Sequence, residues 1–155
     1  MKLVETAKII GAAQPKDYSG AAMTAKYVSL KNYDHLTIII HTGAWAAGTA
    51  AVTLLQATNV SAGSATGLGM DYMWTGTVAS GYLTKTAVTA DTFNLAAANS
   101  LYVIEIDADE LDVDDGFDCV TVAIADPSAN DYYAVNYILT EPRYAEATPP
   151  SAIAN

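Results

Sequence analysis

His35-Leu-Thr-Ile-Ile-Ile-His41 is the stretch on which the fold turns. Leu36, Ile38 and Ile40 fall on one face of an extended chain while His35, Thr37, Ile39 and His41 fall on the other, the period of two that a half-buried strand requires. A helix would scatter the same residues around its circumference. Immediately upstream, Lys26-Tyr-Val-Ser-Leu-Lys-Asn-Tyr33 alternates in the same way, with Val28 and Leu30 sharing a face. The Asn32 to Asp34 turn between the two segments predicts a hairpin. Downstream, Ala50-Ala-Val-Thr-Leu-Leu-Gln-Ala-Thr58 resumes the pattern after a small-residue turn that carries Trp45 between Gly43 and Gly48.

Farther out, Leu101-Tyr-Val-Ile-Glu-Ile106, Phe117-Asp-Cys-Val-Thr-Val-Ala-Ile124 and Tyr132-Tyr-Ala-Val-Asn-Tyr-Ile-Leu-Thr140 read as three more strands. Asp115-Gly116 and Asp126-Pro127-Ser128 break them apart. Tyr133, Val135, Tyr137 and Leu139 share one face and are expected in the core. Residues 70–75, 82–88 and 92–95 predict shorter strands, and residues 61–69, rich in Gly, Ser and Ala, predict a surface loop. No helical period survives ten residues, although Ala96 to Ala98 and Asp109 to Leu111 could each close one turn. About eight strands joined by Gly, Ser and Asp turns predict an all-β fold, a two-sheet antiparallel sandwich of jelly-roll or Greek-key type. Extended arms are expected at both ends. Residues 1–25 form an N-terminal arm or strand and residues 146–155 a C-terminal arm, all within one domain over 1–155.

Length and composition agree. At 155 residues and 16.2 kDa the chain has room for one core, with roughly 7,500 Å² of folded surface against roughly 23,500 Å² unfolded. Apolar residues make up 52% and charged residues 15%, which excludes a disordered tail, and no apolar run is long enough to span a bilayer. Seventeen acidic against seven basic residues give a net charge of −10, which repels nucleic acid and anionic membrane surfaces. Neither is an expected partner. Cys119 is the single cysteine and forms no internal disulfide. Glu5 and Lys8 interrupt the N-terminal apolar residues, so no signal segment is expected.

Chemistry-bearing motifs are sparse. His35 and His41 are the only histidines, roughly 20 Å apart along one strand, too far to share a metal. A catalytic histidine would also need a partner within hydrogen-bond reach and a nucleophile, and no Gly-x-Ser-x-Gly occurs. The acidic run Glu105-Ile-Asp-Ala-Asp-Glu-Leu-Asp-Val-Asp-Asp-Gly-Phe-Asp118 raises a calcium hypothesis. Placing Gly116 at the sharp turn of an EF-hand loop puts Leu111 and Val113 at ligand positions, so that loop is excluded. Asp112, Asp114, Asp115 and Asp118 remain as candidates for an irregular calcium site, beside the plainer reading of a solvated acidic turn. The same run could pair carboxylates for glycoside hydrolysis, but nothing specifies a cleft. Arg143 is the only arginine, and no phosphate-binding loop is present. Ten tyrosines with Trp45 and Trp74 suit glycan stacking less well than core or interface packing. No catalytic residue and no cofactor are expected.

Tyr27-Val-Ser-Leu-Lys-Asn-Tyr33, Gly43-Ala-Trp45 with residues 49–58, Leu111-Asp-Val-Asp-Asp-Gly-Phe-Asp-Cys-Val120 and Thr148-Pro-Pro-Ser-Ala-Ile153 together resemble a family of small tailed-bacteriophage virion proteins. The similarity runs from the strand at Val28 to Pro149 and Pro150, and is weakest between Gly63 and Ala98. What it implies is a capsid decoration or cement role, a location in the virion assembled in the host cytoplasm, and the major capsid protein or other virion subunits as partners. A homotrimer is the implied assembly. Trp45, Pro149, Pro150 and Ile153 are the interface candidates. A carbohydrate- or receptor-binding sandwich on the virion surface is the alternative.

Overall fold

The computed structural model describes residues 2–144 and 151–153. A single turn of helix, α1 (Leu3–Thr6), precedes strands β1 (Lys8–Asp17), β2 (Met23–Thr24), β3 (Val28–Ser29), β4 (Tyr33–Thr42), β5 (Ala50–Ala57) and β6 (Thr66–Leu68). Then come β7 (Tyr72–Thr77), β8 (Thr84–Ala87), β9 (Phe93–Leu95), β10 (Ser100–Asp107), β11 (Cys119–Ile124) and β12 (Tyr132–Pro142). Short 3-10 turns at Ala108–Glu110 and Val113–Asp115 follow β10.

One sheet runs β1-β12-β4-β10-β7-β8, and the other runs β2-β11-β5-β6 with β3 also on β11 and β9 also on β5. Every pairing is antiparallel. The pairs are nested about the middle of the chain: β1 with β12, β2 and β3 with β11, β4 with β10, and β5 with β6 and β9. Successive nested pairs fall in alternate sheets, which is the jelly roll. The β7–β8 hairpin lies outside this nest and extends the first sheet beyond β10.

The core is made by the inward faces that alternation selects. Leu36, Ile38 and Ile40 of β4 and Tyr133, Val135, Tyr137 and Leu139 of β12 are all buried, as are Ile104, Ile106, Val120, Val122 and Leu54. Tyr137 brings a hydroxyl into this layer. It receives the Val122 N–H at 3.2 Å and lies 3.2 Å from Thr121 Oγ1, while burial pushes its phenol up to about 12. Tyr18 stacks on Tyr133 at 4.3 Å between centroids, closing the end where β1 turns away.

Two expectations need correction. Residues 26–33 and 35–41 do not form a hairpin, because β3 pairs with β11 in one sheet while β4 lies in the other. Val28, Ser29 and Leu30 are all buried, so alternation fails there: this is a corner where the chain crosses between sheets. Among the described residues there are twelve strands and not about eight. Two of the eight jelly-roll positions are broken into short pairs, the β7–β8 hairpin is extra, and β6 arises inside the expected loop. Of the N-terminal arm or strand expected over residues 1–25, residues 8–17 are the ten-residue edge strand β1, disguised by small residues and by ladder irregularities between Gly11 and Ala13 and between Ala13 and Lys16. Pro15 is tolerated because the outer side of an edge strand needs no ladder donor.

At the C-terminus the chain returns to its own core. Ala152 is buried, and its carbonyl receives the Ser29 N–H at 2.7 Å. This corrects the expectation that the tail leaves the domain throughout its length. Ile153 is exposed. Pro149 and Pro150 lie outside the described residues.

Candidate functional site

The antiparallel register of β4 on β10 places His35 opposite Asp107 and Thr37 opposite Glu105 on the outer face of the first sheet. His35 Nδ1 lies 2.6 Å from Asp107 Oδ1, and His35 Nε2 is in hydrogen-bond contact with Glu105 Oε2. Thr37 Oγ1 donates to the same Glu105 oxygen at 3.1 Å. A neutral imidazole has one N–H and can serve only one carboxylate, so two carboxylates at the two nitrogens define an imidazolium. Burial pulls the His35 pKa down, but the Asp107 and Glu105 hydrogen bonds and the charges of both carboxylates outweigh it, and the net shift is upward. With both ring nitrogens engaged, neither is available to a substrate proton. The cluster is an ion network and lacks the geometry of a general base.

Beside it runs a groove of about 610 Å³. It exists because β7 pairs with β10 only from Ser100 to Val103, leaving the flank of residues 104–107 without a ladder partner on that side among the described residues. Leu54, Leu68, Ile104 and Ile106 form its apolar floor between the sheets. Asp71, Glu105, Asp107 and Glu110 line its walls. Desolvation at the wall raises the Glu110 pKa, and the charges of Asp107, Asp109 and Asp71 push the same way against the opposing pull of the Asp107 backbone N–H.

At the groove's end, Tyr72 and Trp74 project from β7. Lys85, opposite Trp74 in the β7–β8 ladder, sets its Nζ 3.9 Å from the Tyr72 ring centroid and 5.3 Å from that of Trp74. These aromatic faces already hold an ammonium group. Farther along, every residue of β8 is exposed, and Val78, Tyr82 and Leu83 present apolar side chains to solvent around the hairpin tip. Gly76 makes the tight hairpin feasible, since a Cβ there would stand 2.2 Å from the Tyr82 carbonyl oxygen.

The calcium candidates are not brought together. Asp112 accepts from Gln56 Nε2 while its backbone N–H donates to Gln56 Oε1 at 3.0 Å, and Asp118 accepts from Cys119 Sγ at 3.0 Å. Asp114 and Asp115 are exposed on their 3-10 turn. Among the described residues, no group of three or more His, Cys, Asp or Glu side chains is placed to hold a metal ion. Trp45 is half-buried against the core, with Nε1 donating to the Gly48 carbonyl at 3.1 Å. The adjacent Ala46 N–H donates to the buried Asp131. His41, exposed at the far end of β4, belongs to neither cluster.

Sequence reading missed the pairing of His35 with Glu105 and Asp107, because the expected hairpin gave that strand the wrong neighbour. It also passed over residues 76–81 as a spacer and placed Tyr82 and Leu83 in the strand over 82–88, although Val78, Tyr82 and Leu83 beside glycines were the available signal of an apolar turn.

No family model matches this sequence, and no curated protein matches it. Among solved structures the chain is similar to the SPBc2 prophage-derived protein YomS at 10% identity, with 87% of this chain and 93% of that one covered and a TM-score of 0.47. It is also similar to a chain in the structure of infectious bursal disease virus, Gx strain, at 15% identity and a TM-score of 0.44. There 96% of this chain aligns with 38% of the viral one, so this chain spans well under half of that chain's length. The VP2 subviral particle of the same virus gives a TM-score of 0.25 at 14% identity. These neighbours are a prophage-derived protein and viral proteins; the assignment of the fold rests on the strand ladders themselves.

Proposed function

We propose that this chain is a non-enzymatic virion structural protein that decorates the head of a tailed phage, bridging capsid subunits as a cement. The carrying observation is the β7–β8 hairpin: an element outside the nested jelly roll, with every β8 residue exposed and with Val78, Tyr82 and Leu83 uncovered. Apolar side chains clustered on a projecting element mark a contact surface. Jelly rolls build viral shells and lectins alike, so the fold alone does not choose between them. The resemblance of the Tyr27–Tyr33 and Leu111–Val120 segments to small tailed-phage virion proteins favours the shell. His35, whose ring nitrogens are both taken by carboxylates, supports the non-enzymatic part of this reading. A glycan platform is less well supported, since Lys85 occupies the faces of Tyr72 and Trp74.

In this reading the partners are the major capsid protein or neighbouring virion subunits, the copies assemble as a trimer, and the protein resides in the virion after assembly in the host cytoplasm. Trp45, Pro149, Pro150 and Ile153 are further contact candidates beside the hairpin tip. The test is to add purified protein to phage heads lacking it and count copies bound per shell. Saturation at a fixed number set by shell symmetry, lowered by Tyr82→Ser with Leu83→Ser, is the expected result. Absence of saturable binding overturns the proposal.

A further inference from the structure

We infer that the groove beside β10 receives an extended segment of a partner chain in which apolar residues alternate with lysine or arginine, added as a strand along residues 104–107. Three observations combine. Among the described residues the strand flank has no ladder partner on the groove side: the ladder to β7 ends at Trp74 with Val103, and Tyr72 and Met73 continue on β8 instead, and unpaired backbone at a strand flank is a template for strand addition. The groove floor is apolar and lies between the sheets, whereas its outer wall is anionic. An added strand turns successive side chains to opposite faces, so apolar residues would meet Leu54, Leu68 and Ile106 while the intervening ones meet Glu105 and Asp107. The charges fix the sign of those intervening residues. Against the four carboxylates Asp71, Glu105, Asp107 and Glu110 the described residues set His35, paired with Glu105 and Asp107, while Arg143 near Asp107 is paired with Asp34 and Lys85 is drawn onto the aromatic pair at the groove's end. That pair shows in this chain itself how a lysine is held at this place. The inference goes beyond the shell reading and holds whether or not the partner is a capsid subunit.

The probe is the peptide Val-Lys-Val-Lys-Val-Lys, acetylated and amidated, titrated into the full chain while backbone amide signals are followed by NMR. Saturable shifts at residues 104–107 and 71–74 are expected. Affinity should fall about tenfold or more on raising salt from low to several hundred millimolar, and comparably in Glu105→Gln or Asp71→Asn, two isosteric changes that test the charge separately. A Val-Glu counterpart should not bind, and a backbone N-methylated Val-Lys peptide should lose most of its affinity. The inference is overturned by absence of shifts at millimolar peptide, by shifts confined to another surface, by equal binding of the acidic peptide, or by undiminished binding of the N-methylated one. Capsid binding does not enter this measurement, so the two readings fail separately.

Discussion

His35 illustrates how far a single residue can be read. Its place on the polar face of β4 follows from alternation with Leu36, Ile38 and Ile40, and the structure keeps those three buried. Its partners do not follow. Alternation assigns a face but not the neighbouring strand or the register, and Glu105 and Asp107 lie about seventy residues away. The consequence is measurable as pH dependence. Because the folded-state pKa is raised above that of the unfolded chain, the stabilisation is fully present below about pH 6.5 and is lost as pH rises through the raised value. Chemical denaturation of wild type and His35→Gln should therefore differ by about 1 kcal/mol near pH 5.5 and by little at pH 9, with the gap narrowing in high salt because Asp107 is solvent-exposed. A gap that grows with pH would contradict the imidazolium assignment.

Among the elements, the long strands other than β1 were legible, as were the short β7, β8 and β9 within a few residues, but the shortest were not. β5, β10, β11 and β12 each repeat the period of two over six residues or more, whereas β2, β3 and β6 have two or three residues and no room for a period. β1 was hidden by its bulges, which reset the alternation twice within ten residues. Gly76 was legible as a glycine but not as what it is. Sequence reads it as a break between strands, yet it sits within β7, and the reason is the Tyr82 carbonyl across the turn. Gly76→Ala must push that backbone aside. Hydrogen exchange should show lost protection across residues 72–87 with β4 and β12 unchanged, at a cost of about 1–3 kcal/mol confined to the hairpin. Uniform loss of protection through both sheets would show that the hairpin belongs to the cooperative core.

For the whole molecule, composition and turn spacing sufficed for an all-β sandwich, while the choice of the jelly roll depended on pairings between distant segments that no local pattern encodes. The C-terminus shows the same limit, since the prolines signalled an extended segment but not where Ala152 would come to rest. Deleting residues 151–155 exposes the Ser29 N–H and the ground beneath Ala152. That should cost about 1–2 kcal/mol, or roughly 3–6 °C in Tm for a chain of this size. An unchanged Tm in dilute protein would return the tail to the role of an intersubunit arm.

The nested pairing also sets a timetable for biosynthesis. The innermost pairs, β5 with β6 and β9, are translated close together, whereas β1, the first strand made, must wait for β12, the last. Until β12 has left the ribosome, the first sheet lacks its second strand, with β1 unpaired on one side and the edge of β4 from Leu36 to Ile40 open on the other. The small residues, proline and bulges of β1 then serve a second purpose: during that interval they make the waiting strand a poor template for the strands of neighbouring nascent chains.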